Sequence, residues 1–165
     1  MQEFEKVSII KNCTLEQLFD FHLDVSNLKN ITPPDTKVEL LDENFIPHEG
    51  GIMNIKTIKN YISTIWQVKI EKLEKPNLLV DKALKSPFDY WEHSHVFTQK
   101  GNVCQLKDII KYKLPFGRLG ELFDIFVQNE LQKMFDFRHE ITKKLIAEKN
   151  LLTNKKILLK NSAFQ

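Results

Sequence analysis

Cysteine is scarce in this sequence: Cys13 and Cys104 are the only two in 165 residues. They show no Cys-x-x-Cys spacing and no evident zinc partners. A disulfide-stapled secreted scaffold is therefore not expected, and reduced thiols in the cytoplasm are the simplest reading. Glycine is sparse too, at five. There is no Gly-x-Gly-x-x-Gly, no P-loop and no Gly-x-Ser-x-Gly, so phosphate-cradling loops and a serine nucleophile elbow are missing. No apolar run approaches the roughly 20 residues needed to span a bilayer. Residues 1–11 alternate polar and apolar side chains rather than forming the apolar core of a signal peptide. Neither sign of charge dominates: 24 Lys and Arg stand against 22 Asp and Glu. A net charge of +2 gives no global field that would select nucleic acid or a membrane surface. The expected partners therefore exclude nucleic acid and stable membrane insertion, and the expected location is cytoplasmic.

What is present is an ordinary globular composition, 42% apolar and 28% charged, long enough for one domain with a sizeable core. Residues 4–10 read as a strand rich in β-formers. Thr14 and Gln17 have capping-box spacing ahead of a short helix carrying Leu15, Leu18, Phe19, Phe21 and His22. A second short helix is expected over 24–29, stopped by Pro33-Pro34. Strand patterns follow over 37–41, 52–59, 61–73, 78–84, 88–98 and 103–114. Gly101-Asn102 supplies a tight hairpin between the last two. After Pro115-Phe116-Gly117 the period changes. Leu122, Phe123, Phe126, Val127, Glu130, Leu131, Met134, Phe135, Arg138, Ile141 and Leu145 recur at three- and four-residue spacing, which predicts a long amphipathic helix. Residues 150–165 are lysine-rich and read as a loosely ordered tail after a single domain over 1–149. A meander of this kind is antiparallel, and the long helix is the only element available to cover its apolar face.

Several motifs carry a family resemblance. They are Phe19-Asp20-Phe21-His22, Asn27-Leu28 with Ile31-Thr32-Pro33-Pro34, Trp66, and Ser86-Pro87-Phe88-Asp89-Tyr90-Trp91-Glu92-His93-Ser94-His95-Val96-Phe97. Asp108-Ile109-Ile110-Lys111-Tyr112-Lys113-Leu114-Pro115-Phe116-Gly117 and Phe135-Asp136-Phe137-Arg138 complete the set. In these the chain resembles the SRPBCC superfamily, also called START-like or Bet v 1-like, and within it the bacterial ligand-binding SRPBCC proteins. It departs at Ser86, where the resemblance leads one to expect glycine. The resemblance implies an α+β helix-grip fold, a curved antiparallel sheet wrapped around a long C-terminal helix, with two short helices after the first strand. It also implies a cavity between sheet and helix. Superfamily members bind lipids, polyketides, sterols or plant hormones; some are aromatase/cyclases, and some are oxygenase subunits with iron.

Strand alternation sorts the candidate site residues. Trp91, His93, His95 and Phe97 share one face of their strand. Cys104, Leu106, Asp108, Ile110, Tyr112 and Leu114 share a face of the next, opposite Gln105, Lys107, Lys111 and Lys113. The lysine face is the solvent face, so Asp108 and Tyr112 point inward. The expected ligand wall is Trp66, Trp91, His93, His95, Phe97, Asp108 and Tyr112 from the sheet, with Phe123, Met134 and Arg138 from the helix. His93, His95, Asp108 and Tyr112 are also the candidates for proton transfer in a cyclase or dehydratase reaction. Two readings of this polar corner stand side by side: contact with a ligand, and a buried network that pins helix to sheet. His-x-His with Asp108 is a weak metal signal, since no second motif supports it; no cofactor or metal is expected. His22, His48 and His139 read as helix-surface or loop residues. The expected function is a binding or carrier protein for a small hydrophobic, lipid- or polyketide-like ligand in an internal cavity. A polyketide cyclase/dehydratase-type enzyme using the same polar residues is the alternative, and a module with a filled cavity is a third reading.

Overall fold

Period-two alternation along the chain produces a seven-stranded antiparallel sheet in the computed structural model, which describes residues 1–42 and 44–162, with side chains through 153. The strands are β1 (Gln2–Lys11), β2 (Thr36–Leu40), β3 (Ile52–Lys59), β4 (Ile62–Glu74), β5 (Leu78–Lys85), β6 (Tyr90–Lys100) and β7 (Val103–Lys113). Their order is β1-β7-β6-β5-β4-β3-β2. The meander from β2 to β7 is thus closed by β1 returning to the far edge, where Gln2 pairs with Tyr112 and Lys11 with Val103. Register shifts in β4, between Gln67 and Val68 and between Ile70 and Lys72, break its ladder with β5. Such irregularities bend a strand and increase its twist, which suits a sheet curled around a helix. Gly101 takes φ +62 in the expected β6–β7 hairpin, a backbone region that glycine enters without steric cost.

Helix α1 (Leu15–Leu23) starts at the expected capping box, with Thr14 Oγ1 accepting from the Gln17 amide and Gln17 Oε1 from the Thr14 amide. A 3-10 turn, Val25–Lys29, follows it. After β7 come the one-turn α2 (Arg118–Glu121) and the long α3 (Asp124–Ser162). Gly120 lets α2 fold tightly back: a Cβ there would collide with the Pro115 carbonyl oxygen. Helical backbone continues from 124 through residue 149 into the lysine-rich segment, which has no glycine or proline to interrupt it. The expected loose tail is helical as far as Ser162; the side chains of Lys155, Lys156 and Lys160 lie outside the described residues.

The buried stripe of α3 shares Leu131 and Phe135 with the sequence reading and departs from it on either side of them. It runs through Leu131, Phe135, His139, Thr142 and Ile146, whereas Leu122, Phe123 and Phe126 are 65–77% exposed. At about 3.6 residues per turn, positions nine apart lie on opposite sides of a helix, so Phe126 faces away when Phe135 faces in. The sequence reading ran its face through the exposed Leu122, Phe123 and Phe126 as well as the buried Leu131 and Phe135. Two of the five buried positions, His139 and Thr142, are polar, which hid the later course of the stripe.

The interior is layered. One apolar layer holds Phe97, Leu106 and Ile146 with Phe19 of α1. The other holds Ile110, Tyr112, Leu131 and Phe135 with Trp91 and Met134 packed on it. Between them β6 contributes His93 and His95, β7 contributes Asp108, and α3 contributes His139 and Thr142, all buried. A third apolar group, Val38, Ile55 and Val68 with Trp66 against it, lies on the β2–β4 side.

Candidate functional site

Strand register creates the polar layer. His95 stands directly opposite Asp108, and Asp81 of β5 directly opposite His93. Asp108 is fully buried, and its carboxylate can only accept. His93 Nε2 donates to its Oδ1 at 2.9 Å and His139 Nε2 donates to its Oδ2 at 2.6 Å. His95 Nδ1 stands 2.6 Å from Oδ1, off the line of a good hydrogen bond, so it acts there chiefly as a charge contact. The other face of His95 looks to Asp81, with Nε2 3.7 Å from Oδ2. His22 sits beside this group, its ring 5.3 Å from that of His95 and its Nδ1 2.8 Å from the Leu18 carbonyl oxygen.

The electrostatics follow from burial against pairing. Burial would raise the Asp108 pKa, but the His95 charge, the bonds from His139 and His93 and the close contact of His95 hold it well below the usual carboxylate range. Burial also opposes charge on His95, yet the charge and contact of Asp108, then Asp81, lift its pKa to about 9. Burial and then the His95 charge push His93 down to about 4 and His22 to about 3. The layer therefore holds its proton on His95, between two carboxylates. Arg138 of α3 stacks its guanidinium 5.1 Å over the Phe135 ring and interacts with Asp108 and Asp81 at longer range. Its Nε is buried without a hydrogen-bond partner among the described residues, as are His22 Nε2, His139 Nδ1 and Thr142 Oγ1.

Beside the polar layer lies an aromatic group. Trp66, Phe88 and Trp91 are half-buried and mutually in contact, with ring centroids 4.8–5.9 Å apart. Phe88 also meets Tyr112 edge-on at 5.8 Å. Met134 packs on the same cluster from α3. Two solvent-open clefts lie outside this space. One, of about 290 Å³, is lined by Lys11, Asn12, Ala147, Asn150 and Leu151. The other is on the sheet's outer face, lined by Ile9, Thr98, Gln99, Lys100, Val103 and Gln105.

The expected residues thus separate into groups. His93, His95 and Asp108 converge, with Arg138 near them. Trp66, Trp91, Tyr112 and Met134 gather in and around the aromatic cluster. Phe97 is fully buried in the opposite apolar layer, and Phe123 lies on the surface. Tyr112 faces inward but its hydroxyl leaves the polar layer: it donates to Asp124 Oδ1 at 2.6 Å and accepts from Gln128 Nε2 at 2.8 Å. Both partners are on α3, so this tyrosine ties helix to sheet, and burial followed by the Asp124 bond raises its pKa. His48 is on an exposed loop as expected. His139, read as a surface residue, is 1% exposed and bonded to Asp108, and His22 is half-buried against His95. The i, i+4 spacing of Phe135 and His139, followed by Thr142 and Ile146, was the available signal for His139. Asp81 was missed because its strand shows little alternation.

No family model matches the chain, and no curated protein matches it. Solved structures do. A protein from Thermus thermophilus, TTHA0849, aligns at TM-score 0.70 and 16% identity over 90% of this chain and 99% of that one. A START superfamily protein from Mycobacterium smegmatis aligns at 0.63 and 10%, over 88% and 97%. A ginseng (Panax ginseng) major latex-like protein aligns at 0.63 and 13%, over 88% and 97%. With the curled seven-stranded sheet, the two short helical segments after β1 and the long C-terminal helix, these likenesses show that the chain has the START-like, Bet v 1-like helix-grip fold of the SRPBCC proteins.

Proposed function

We propose that the protein binds a small, largely apolar molecule between sheet and α3, at the aromatic end of the interior rather than at the polar layer. The observation that carries this reading is the half-buried triad Trp66, Phe88 and Trp91, with Met134 of α3 packed on the same apolar cluster as Phe88 and Trp91. Apolar walls with a few placed polar groups are the usual make-up of a small-molecule site. An aromatic edge left half-buried at the border of two apolar clusters supplies such a wall. The carrier reading is favoured over the cyclase reading because Asp108 is already bonded to two imidazoles and in contact with a third, and Tyr112 is bonded to α3. Neither group is left free to move a substrate proton.

Both tryptophans report on this site, so the test is a fluorescence titration of tag-free protein with fatty acids and polycyclic aromatic compounds. Saturable quenching is expected for at least one member. It should weaken at least tenfold in Trp91→Ala when followed through the remaining Trp66, with circular dichroism unchanged. Flat titrations across the library, with no ligand mass retained in native mass spectrometry, would overturn the reading.

A further inference from the structure

We propose that Asp81, His93 and His95 form a binding site for a divalent first-row transition-metal ion of the zinc class, with Asp108 behind them, hydrogen-bonded to His93 and in charge contact with His95. The sequence pointed to His-x-His with Asp108. The structure changes the carboxylate. Asp108 is bonded to His93 and His139 on the far side, whereas Asp81 faces His95 from the neighbouring strand.

The placement follows from the ladder. His93 and His95 are two apart on β6, so their side chains leave the same face. Asp81 of β5 pairs directly with His93. One ligand atom from each of the three residues lies within 4.8 Å of the others. The His95 Nε2 to Asp81 Oδ2 distance, 3.7 Å, is too long for a hydrogen bond. It suits two atoms sharing one ion: bonds of about 2.0–2.2 Å at tetrahedral to trigonal angles hold ligand atoms roughly 3.3–3.8 Å apart.

The surroundings supply the support that such a site needs. His95 presents Nδ1 to Asp108 and Nε2 to Asp81. A carboxylate on the far nitrogen of a ligating imidazole fixes the ring and raises its basicity. His93 likewise has Nε2 on Asp108. The side chains of both histidines are 8% exposed, while Asp81 is 19% exposed, so the site is enclosed except on the Asp81 side. Two carboxylates, Asp81 and Asp108, offset a double positive charge. Arg138 from α3 and His22 from α1 face the same layer. Two imidazoles and one carboxylate favour zinc, cobalt or ferrous ion over magnesium or calcium, which take oxygen ligands. Three protein ligands leave a position open.

The test uses full-length, tag-free protein stripped with a chelator and titrated with Co²⁺ alone, then with Zn²⁺ in competition. One equivalent of Co²⁺ is expected to give visible d–d bands that Zn²⁺ abolishes. Asp81→Asn keeps the side-chain shape and is expected to weaken binding at least tenfold while leaving the circular dichroism unchanged. His95→Gln should lose the bands as well. The proposal falls if wild-type protein shows no saturable Co²⁺ signal, or if Asp81→Asn binds as wild type does.

Discussion

At the residue scale the decisive group is Asp108. It is a fully buried carboxylate surrounded by three imidazoles, and its acceptor capacity is largely occupied by them. Breaking a buried charge network from one side leaves the other groups unpaired, which costs about 3–5 kcal/mol. Asp108→Asn is therefore expected to lower stability by about that amount, read as a lower urea midpoint with the slope unchanged. A loss under ~1 kcal/mol would mean that the histidines do not depend on it. The inward direction of Asp108 was legible in the sequence, because Lys107, Lys111 and Lys113 mark the other face of the strand. Its partner His139 was not. A histidine on a helix counts as surface until the helix is phased, and the phase depends on what the helix packs against.

At the element scale, strands and helix meet in register. Each of β6, β7 and α3 carries an apolar, a polar and an apolar segment in matching order, so the polar groups meet at one level. The chain enters α3 through the tight turn at Pro115–Gly120, where Gly120 approaches the Pro115 carbonyl. A methyl group at that position has no room without shifting the backbone. Gly120→Ala is expected to cost about 1–3 kcal/mol, the usual range for an overpacked site, by thermal or urea melting. A neutral result would show that α2 moves aside freely. The strands and hairpins were legible from alternation and turn residues. The α2 turn was not: Leu119, Leu122 and Phe123 match helical spacing, yet they are exposed. Apolar spacing shows that a face exists, not that anything covers it.

At the scale of the whole molecule, the two apolar layers bury the polar layer between them, and this couples stability to pH. His93 and His22 have folded-state pKa values below the ordinary 6.5, at about 4 and about 3. Below pH ~6.5 the unfolded chain binds protons there that the folded chain does not, so stability falls with falling pH. His95 has the opposite sign, with a folded value of about 9. Its contribution is fully present below pH ~6.5 and is lost as pH rises through about 9. For these three groups together, stability is expected to peak near pH ~6.5. His95→Gln should flatten the alkaline side of that profile and leave the acid side in place. A wild-type melting temperature unchanged between pH ~6.5 and ~9 would contradict the pairing of His95 with Asp108 and Asp81.

Short windows of sequence were enough for the strand meander, the capping box, the hairpin at Gly101, the inward faces of β6 and β7, and the need for a helix to cover them. These are local consequences of alternation, turn chemistry and period. What the inward polar groups touch came only from packing. The assembled layers bonded Tyr112 to Asp124 and Gln128, brought His139 to Asp108 across 31 residues, and set Asp81 rather than Asp108 against the open side of His95. Those outcomes depend on helix phase and on the ladder between β5 and β6. Both are settled by how the layers fit against one another, because no single segment carries information about the partner it will meet.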